Sequence, residues 1–534
     1  MKYASQIAAP VLFLAVVGLG ALFIPYTGIQ FDEVLFVEAL LPDGWVEHAM
    51  KFDEFRVPIM LISYMGTVKA GLYALLLRVF EPNVWTLRIP PLLFCAASVV
   101  LFYLTLRRLA GWKAALAAAV LLSSDPIYLL TSVFDWGPVA IQHLLFSVAL
   151  YAGVRFAQEG GRKWLVLVAF SCGLALWDKA IFVWLLAGGS VALLVVFPRE
   201  MLGLAKQRRV VLLALGGFFL GALPFLYYNK IHPLRTFTAG VEEDTGSRLN
   251  KVRMLDKTMD GGGLFGYMVR HSPEGYPQGL KYAEKIPLFL SGKLRAPNIS
   301  WQHLLLTMTL FCAPVLWFTP WRRPALFALL TFVVAWLLMI YSRATGGGAH
   351  HTVLLWPLPH WLLTFALAAV AREAPRRGFP VAVAAVLVCA GSNLAVLNQY
   401  MAQLISSGPS TIWTDAIFNL QKSVEAHPDR KFASVDWGIA NPLRFLSLGR
   451  LRFTGRSDGL ILEFDQPRRD ETLTALLDDP AVVFLMRTEG HEVFGGTRER
   501  FLGFAREHGY SGRAIETVRD RHGSPLFELW EFRR

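Results

Sequence analysis

The sequence predicts an α-helical polytopic membrane protein that ends in a small soluble α/β domain. Three observations carry that reading. The 534 residues are 54% hydrophobic and 17% charged, with mean hydropathy +0.43, whereas soluble domains carry about 25% charged residues. Apolar runs recur from residue 8 to residue 398, most near the roughly 20 residues a bilayer crossing needs. After Gln399 the runs stop, and short helical and strand-like stretches alternate, the pattern of a mixed α/β fold.

The runs lie near 8–25, 88–106, 113–131, 138–155, 164–178, 180–197, 210–228, 301–318, 324–341, 352–371 and 379–398, so about eleven transmembrane helices are expected. No A-x-A cleavage signal follows the first, which is expected to stay as a helix. Charge decides against a further span at 57–80. Basic clusters lie at Arg107-Arg108 with Lys113, Arg155 with Lys163, Arg199 with Arg208, Arg322-Arg323, and Arg372 with Arg377. With Lys2 inside, the expected spans put every cluster in the cytoplasm, as the positive-inside rule asks. Counting 57–80 puts them all outside and buries Lys69 and Arg78, each costing about 2.5–3.5 kcal/mol at a helix centre. That segment is expected to be juxtamembrane or re-entrant, packed on protein at the outer face.

The same accounting sends residues 26–87, the links near Asp135 and Asp178, the loop 229–300, Ser342 to His351 and the C-terminal part to the outer face. The expected domains are 1–399, a transmembrane unit, and 400–534, an extracytoplasmic α/β domain. In the second, Ser410–Ala426, Asp470–Leu477 and Arg498–His508 are expected helices. Lys431–Val435, Leu460–Phe464, Ala481–Met486 and Leu526–Phe532 are expected strands.

Several function classes drop out. The cytoplasmic loops are too short for a nucleotide-binding domain, and the glycine runs 261–263 and 346–348 follow no strand. The net charge of +12 follows membrane orientation, so no nucleic-acid partner is expected. Cys95, Cys172, Cys312 and Cys389 lie in apolar runs at spacings that fit neither disulfides nor a metal site. No Asp-x-Asp marks the outer loops, so neither metal nor cofactor is expected.

What remains is a set of acids and bases at the outer ends of the runs, and four of these features together resemble the GT-C glycosyltransferases. The group resembled contains the protein O-mannosyltransferases and the lipid A aminoarabinose transferases. Asp32-Glu33 stands where that family has its Asp-Glu pair after the first helix. Val84-Trp85-Thr86-Leu87-Arg88-Ile89-Pro90 opens a run ending Arg107-Arg108-Leu109-Ala110-Gly111, which is similar to the family's second helix. Asp135 stands in the second outer loop, where another acid is expected. His350-His351-Thr352, ahead of Leu355-Trp356-Pro357-Leu358-Pro359, is similar to a family stretch with His or Arg before a Tyr and a Leu-Pro run. The resemblance covers residues 1–370. Lys69-Ala70-Gly71-Leu72-Tyr73 departs from the family's Lys-Pro-Pro-Leu-Tyr, and Thr352 stands in place of the Tyr, which leaves the substrates open.

The resemblance implies a GT-C fold in a bacterial plasma membrane, a polyprenyl-phosphate-sugar donor and an unidentified extracytoplasmic acceptor. Chemistry leads the same way. An outward-facing site meets no nucleotide sugars, so the hexosyl or pentosyl group must arrive on a lipid phosphate. Phosphate leaves best among positive charges, and a carboxylate must take the acceptor's proton in an inverting displacement. Asp32 is the expected base, weighed against capping a helix that starts at Val34. Glu33 and Asp135 are the other candidate catalytic carboxylates, weighed against a helix-end charge and a turn. Lys69, Lys179, Arg343, His350 and His351 are the expected donor-binding residues. The alternative for Lys69 is pairing with Asp32 or Glu33, and for Lys179 pairing with Asp178. His143 reads as a hydrogen-bonded core residue. Two rival readings stay open: a transporter or lipid flippase, which would place charges in broken helices at the midplane, and a non-catalytic scaffold for envelope assembly.

Overall fold

The computed structural model describes residues 2–534 apart from 42–43, 54, 234, 239–247, 271–278, 296, 343–345 and 456–458. Among the described residues, 6 helices are long and apolar enough to cross a membrane: Ser5–Tyr26, Val84–Ala110, Val139–Glu159, Arg208–Ile231, Arg322–Tyr341 and Gly378–Ser406. Three bent pairs raise this to as many as 9: Trp112–Ser124 with Pro126–Val133, Ala180–Val196 with Pro198–Ala205, and Ala349–Leu355 with Leu358–Glu373. The two remaining expected runs are shorter apolar elements, Arg162–Asp178 and Gln302–Phe318.

The first break has a local cause. Pro126 cannot donate a backbone hydrogen bond and disfavours helix at the residue before it. Asp125 restarts the helix by accepting from Tyr128 N at 2.9 Å. Its other oxygen accepts from Gln302 Nε2 at 2.7 Å and Trp356 Nε1 at 3.0 Å, so this buried carboxylate is fully engaged.

The segment between the first two long apolar helices builds a cap over one end of the bundle. Helix Phe31–Glu38 comes first, then β1 (His48–Phe52), β2 (Phe55–Ile62) and β3 (Met65–Gly66) in an antiparallel sheet, then helix Val68–Leu76. Segment 57–80 therefore holds no helix of spanning length. The chain turns back at Gly44, where a Cβ would sit 1.7 Å from Glu38 O. Only glycine allows so close a pass. β3 docks on the end of helix Arg162–Asp178: Met65 bridges Lys179, and Ala180 N donates to Tyr64 O at 2.9 Å.

The C-terminal part holds β4 (Lys431–Ser434), β5 (Val482–Arg487), β6 (Ser511–Arg519) and β7 (Pro525–Arg533), ordered β4-β5-β7-β6. β4 and β5 are parallel and the other pairs antiparallel. β5 is buried throughout: Val482, Phe484 and Met486 pack with Phe501 and Leu473, and Val483 and Leu485 with Ile417 and Leu420. Burial on both faces explains why it reads as a continuous apolar run. One expected strand needs correction. Leu460–Phe464 is a 3-10 turn, Leu460–Glu463, because Gly459 at φ +113° turns the chain before it. β6 shows no apolar alternation because it is a largely exposed edge strand. Helix Gly378–Ser406 also runs through the expected domain boundary at 399/400.

Candidate active site

The first turn of helix Phe31–Glu38 is built by its neighbours in sequence. Gln30 is the N-cap: its Oε1 accepts from Asp32 N at 2.7 Å, while Gln30 N donates to Glu33 Oε2 at 3.0 Å. That reciprocal box satisfies two otherwise unpaired backbone donors. The helix thus starts at Phe31, not Val34, and Asp32 is not its cap. Asp32 lies partly exposed in the first turn, accepting one hydrogen bond, from Gln30 Nε2 at 3.2 Å.

Glu33 has a different use. Arg88 Nε donates to its Oε1 and Arg88 Nη2 to its Oε2, both at 2.9 Å. The same guanidinium donates to the carbonyls of Ile24 at 2.9 Å and Gly28 at 2.5 Å. Arg88 is fully buried. A buried ion pair is tolerable only when its remaining donors are satisfied, and here they are. Glu33, expected beside Asp32 as a catalytic carboxylate, has both oxygens committed to holding the helix.

Lys69 and Asp135 find each other. Lys69 Nζ lies 2.8 Å from Asp135 Oδ2 and donates to Asp135 O at 2.8 Å, while Ala140 N donates to Asp135 Oδ1 at 3.1 Å. The partner of Lys69 is neither Asp32 nor Glu33. Asp135, meanwhile, braces the start of helix Val139–Glu159. Burial holds its pKa above the usual carboxylate value, against the pull of Lys69.

Lys179 differs. It is 2% exposed, yet no described residue pairs with its ammonium within bonding distance. Asp178 is not its partner: that carboxylate accepts from Gln142 Nε2 at 2.7 Å. The ammonium lies against Gly137, where a Cβ would approach it to 3.1 Å, and within electrostatic range of Asp135, Asp178 and Asp32. Burial lowers its pKa to about 8, opposed by those three carboxylates. Burial raises Asp32 to about 6, opposed by the Gln30 hydrogen bond and by Lys179.

Aromatic rings close one side. The Trp136 ring lies 5.6 Å from His350 and 5.5 Å from Tyr267, and the two histidine rings are 4.1 Å apart. His351 Nδ1 is buried without a hydrogen-bond partner. His350 and His351 both lie within electrostatic range of Lys179. His143 accepts the core role expected of it, its Nε2 being 2.8 Å from Val353 O. Arg343 lies outside the described residues. Among the described residues, no three His, Cys, Asp or Glu side chains converge as metal ligands.

Residues 68–228 match the family model of dolichyl-phosphate-mannose-protein mannosyltransferases. ArnT from Cupriavidus metallidurans in the apo state superposes with a TM-score of 0.60, covering 99% of this chain and 98% of its own at 15% identity. The same protein bound to undecaprenyl phosphate gives 0.59, covering 97% of each chain at 14% identity. The fold is that of the GT-C glycosyltransferases. No curated protein sequence matches the chain. The matched segment contains Lys69, Asp135 and Lys179, while Asp32 precedes it and the two histidines follow it in sequence.

Sequence reading missed Arg88 and Gln30. For Arg88 a signal existed: an arginine opening an apolar run must find a carboxylate or snorkel to the interface. Gln30 had none, since glutamine is not among the preferred capping residues.

Proposed function

We propose that the chain is an integral-membrane glycosyltransferase that moves a sugar from a polyprenyl-phosphate carrier to an acceptor hydroxyl on the extracytoplasmic side. One observation carries this reading. In a cluster where Glu33 is held by Arg88 and Asp135 by Lys69, Asp32 and Lys179 keep a carboxylate and an ammonium outside any ion pair within bonding distance among the described residues. An ArnT of like fold was solved with undecaprenyl phosphate, which supports a lipid-phosphate donor.

In the proposed reaction the acceptor O–H gives its proton to Asp32 as its oxygen attacks the anomeric carbon. The bond from that carbon to the phosphate oxygen breaks, and the electron pair leaves with the lipid phosphate. Lys179 faces the charge developing there, in a site where fixed charge is worth most. His350 and His351 line the donor side. Glu33, Lys69 and Asp135 take supporting roles: they place the helix and the loop that carry the reacting groups. The break at buried Asp125 is the feature a transporter would show, but its carboxylate is consumed by Gln302 and Trp356.

The decisive assay incubates the full chain in nanodiscs with undecaprenyl-phosphate-linked mannose or aminoarabinose and an envelope extract. Protein-dependent release of undecaprenyl phosphate, read by mass spectrometry, is expected. Folded protein that releases none from either donor counts against the proposal. Lys179→Met is expected to slow release at limiting donor about ten- to hundred-fold, since a charge-assisted contact is worth about 1.5–3 kcal/mol. The pH profile should be bell-shaped. Asp32 must be deprotonated, so the rate rises through about pH 6; Lys179 must be protonated, so it falls above about pH 8. The two groups interact, and the limbs belong to the pair. A flat profile from pH 5 to 9 removes both from the rate-determining step.

Orientation has its own check. With Cys312 replaced, Glu81→Cys should react with a membrane-impermeant thiol reagent in intact cells and Ala157→Cys should not. The reverse pattern overturns the extracytoplasmic placement of residues 26–87 and of 400–534.

A further inference from the structure

Helix Phe31–Glu38 is only 8 residues long, and helices that short do not hold their shape unaided. Its geometry must come from what grips it. The first turn is gripped by Arg88, through Glu33. The last turn is gripped by a residue more than 400 positions away. Arg444 Nε lies 2.9 Å from Glu38 Oε1 and donates to Oε2 at 3.0 Å, with Glu38 2% and Arg444 7% exposed. Arg444 sits on helix Ala440–Leu446, every residue of which is buried. Phe445 and Leu446 pack in the same cluster as Val34, Phe36 and Val37.

Two further contacts come from the C-terminal part. Trp437 packs on Phe31 with ring centroids 4.5 Å apart, immediately before Asp32. Gly28 N donates to Trp413 O at 2.7 Å, in a fit so close that a Cβ on Gly28 would lie 1.9 Å from Thr414 O. The helix bearing Asp32 is therefore clamped at both ends by buried Glu–Arg pairs, one arginine from the membrane bundle and one from the C-terminal part.

We infer that Arg444 is a positioning residue for the transfer reaction, so that the C-terminal part completes the reaction centre. The inference rests on Asp32 being the base. A displacement of about 1 Å in a reacting group can cost about a hundredfold in rate, and the clamp is what denies the helix that freedom.

The test uses the full chain with Arg444→Met, Arg444→Lys, and the neutral double variant Glu38→Gln/Arg444→Met, which leaves no unpaired buried charge if Arg444→Met alone fails to fold. Arg498→Met, which breaks the Arg498–Glu528 pair on the C-terminal sheet, is the control. Deuterium exchange over residues 29–40 is expected to quicken in the Arg444→Met and double variants but not in the control. With undecaprenyl-phosphate-linked sugar, kcat should fall about ten- to hundred-fold with donor KM within about twofold, and Arg444→Lys should recover part of the loss. Parental exchange and parental kcat in the folded variants overturn the positioning role alone. Parental turnover in Asp32→Asn is a separate outcome: it overturns the base reading, and with it any effect of Arg444 through Asp32.

Discussion

Replacing Asp32 by Asn is expected to lower turnover by about 10²–10⁴-fold, the usual contribution of a positioned general base, with expression and Tm unchanged. The two halves of that expectation have separate grounds. Turnover falls because the amide has no lone pair basic enough to take the acceptor's proton. Stability holds because the helix is capped by Gln30 and Glu33 rather than by Asp32, and because Asp32 makes no ion pair within bonding distance among the described residues. The Gln30 Nε2 hydrogen bond can still be accepted by the Asn oxygen. Asp135 is a weak substitute as base, since Lys69 and the Ala140 amide already occupy both its oxygens. Near-parental transfer by Asp32→Asn in the nanodisc assay would sink the assignment.

Arg88→Met should do the opposite, removing the fold rather than the chemistry. It leaves the Glu33 carboxylate charged and buried with no cation, a loss of about 3–5 kcal/mol for a broken buried pair. It also strips the carbonyls of Ile24 and Gly28 of their donor. Domains are stable by about 5–15 kcal/mol, so little folded protein should survive detergent extraction, as size-exclusion chromatography and thermal unfolding would read. The double variant Glu33→Gln/Arg88→Met should recover part of the loss, because a neutral amide is far cheaper to bury. If Arg88→Met extracts and melts like the parent, the pair does not hold the helix.

Some of this was legible before any coordinates. Asp32 stands out in the sequence because it follows the first apolar run by only a few residues and belongs to a family-like pair. The turn at Leu460 was read as a strand because a short apolar stretch looks alike in both, and only the positive φ of Gly459 tells them apart. β6 was overlooked because an edge strand facing solvent needs no hydrophobic alternation.

The sequence by itself determined where the apolar runs lie, that acids and bases stand at their ends, and that the C-terminal part is a mixed α/β arrangement. These follow from consecutive residues, since lipid or core burial is imposed on a stretch of chain as a whole. Only the tertiary structure decided which charges are paired and which are not. Glu33 meets Arg88 across 55 positions and Lys69 meets Asp135 across 66. Nothing local distinguishes a carboxylate that will be neutralised from one that will not. A charge in the fold takes whichever partner is brought within bonding distance, a cation for Glu33 and Asp135 and an amide for Asp178; among the described residues Asp32 and Lys179 have no ion pair at that distance.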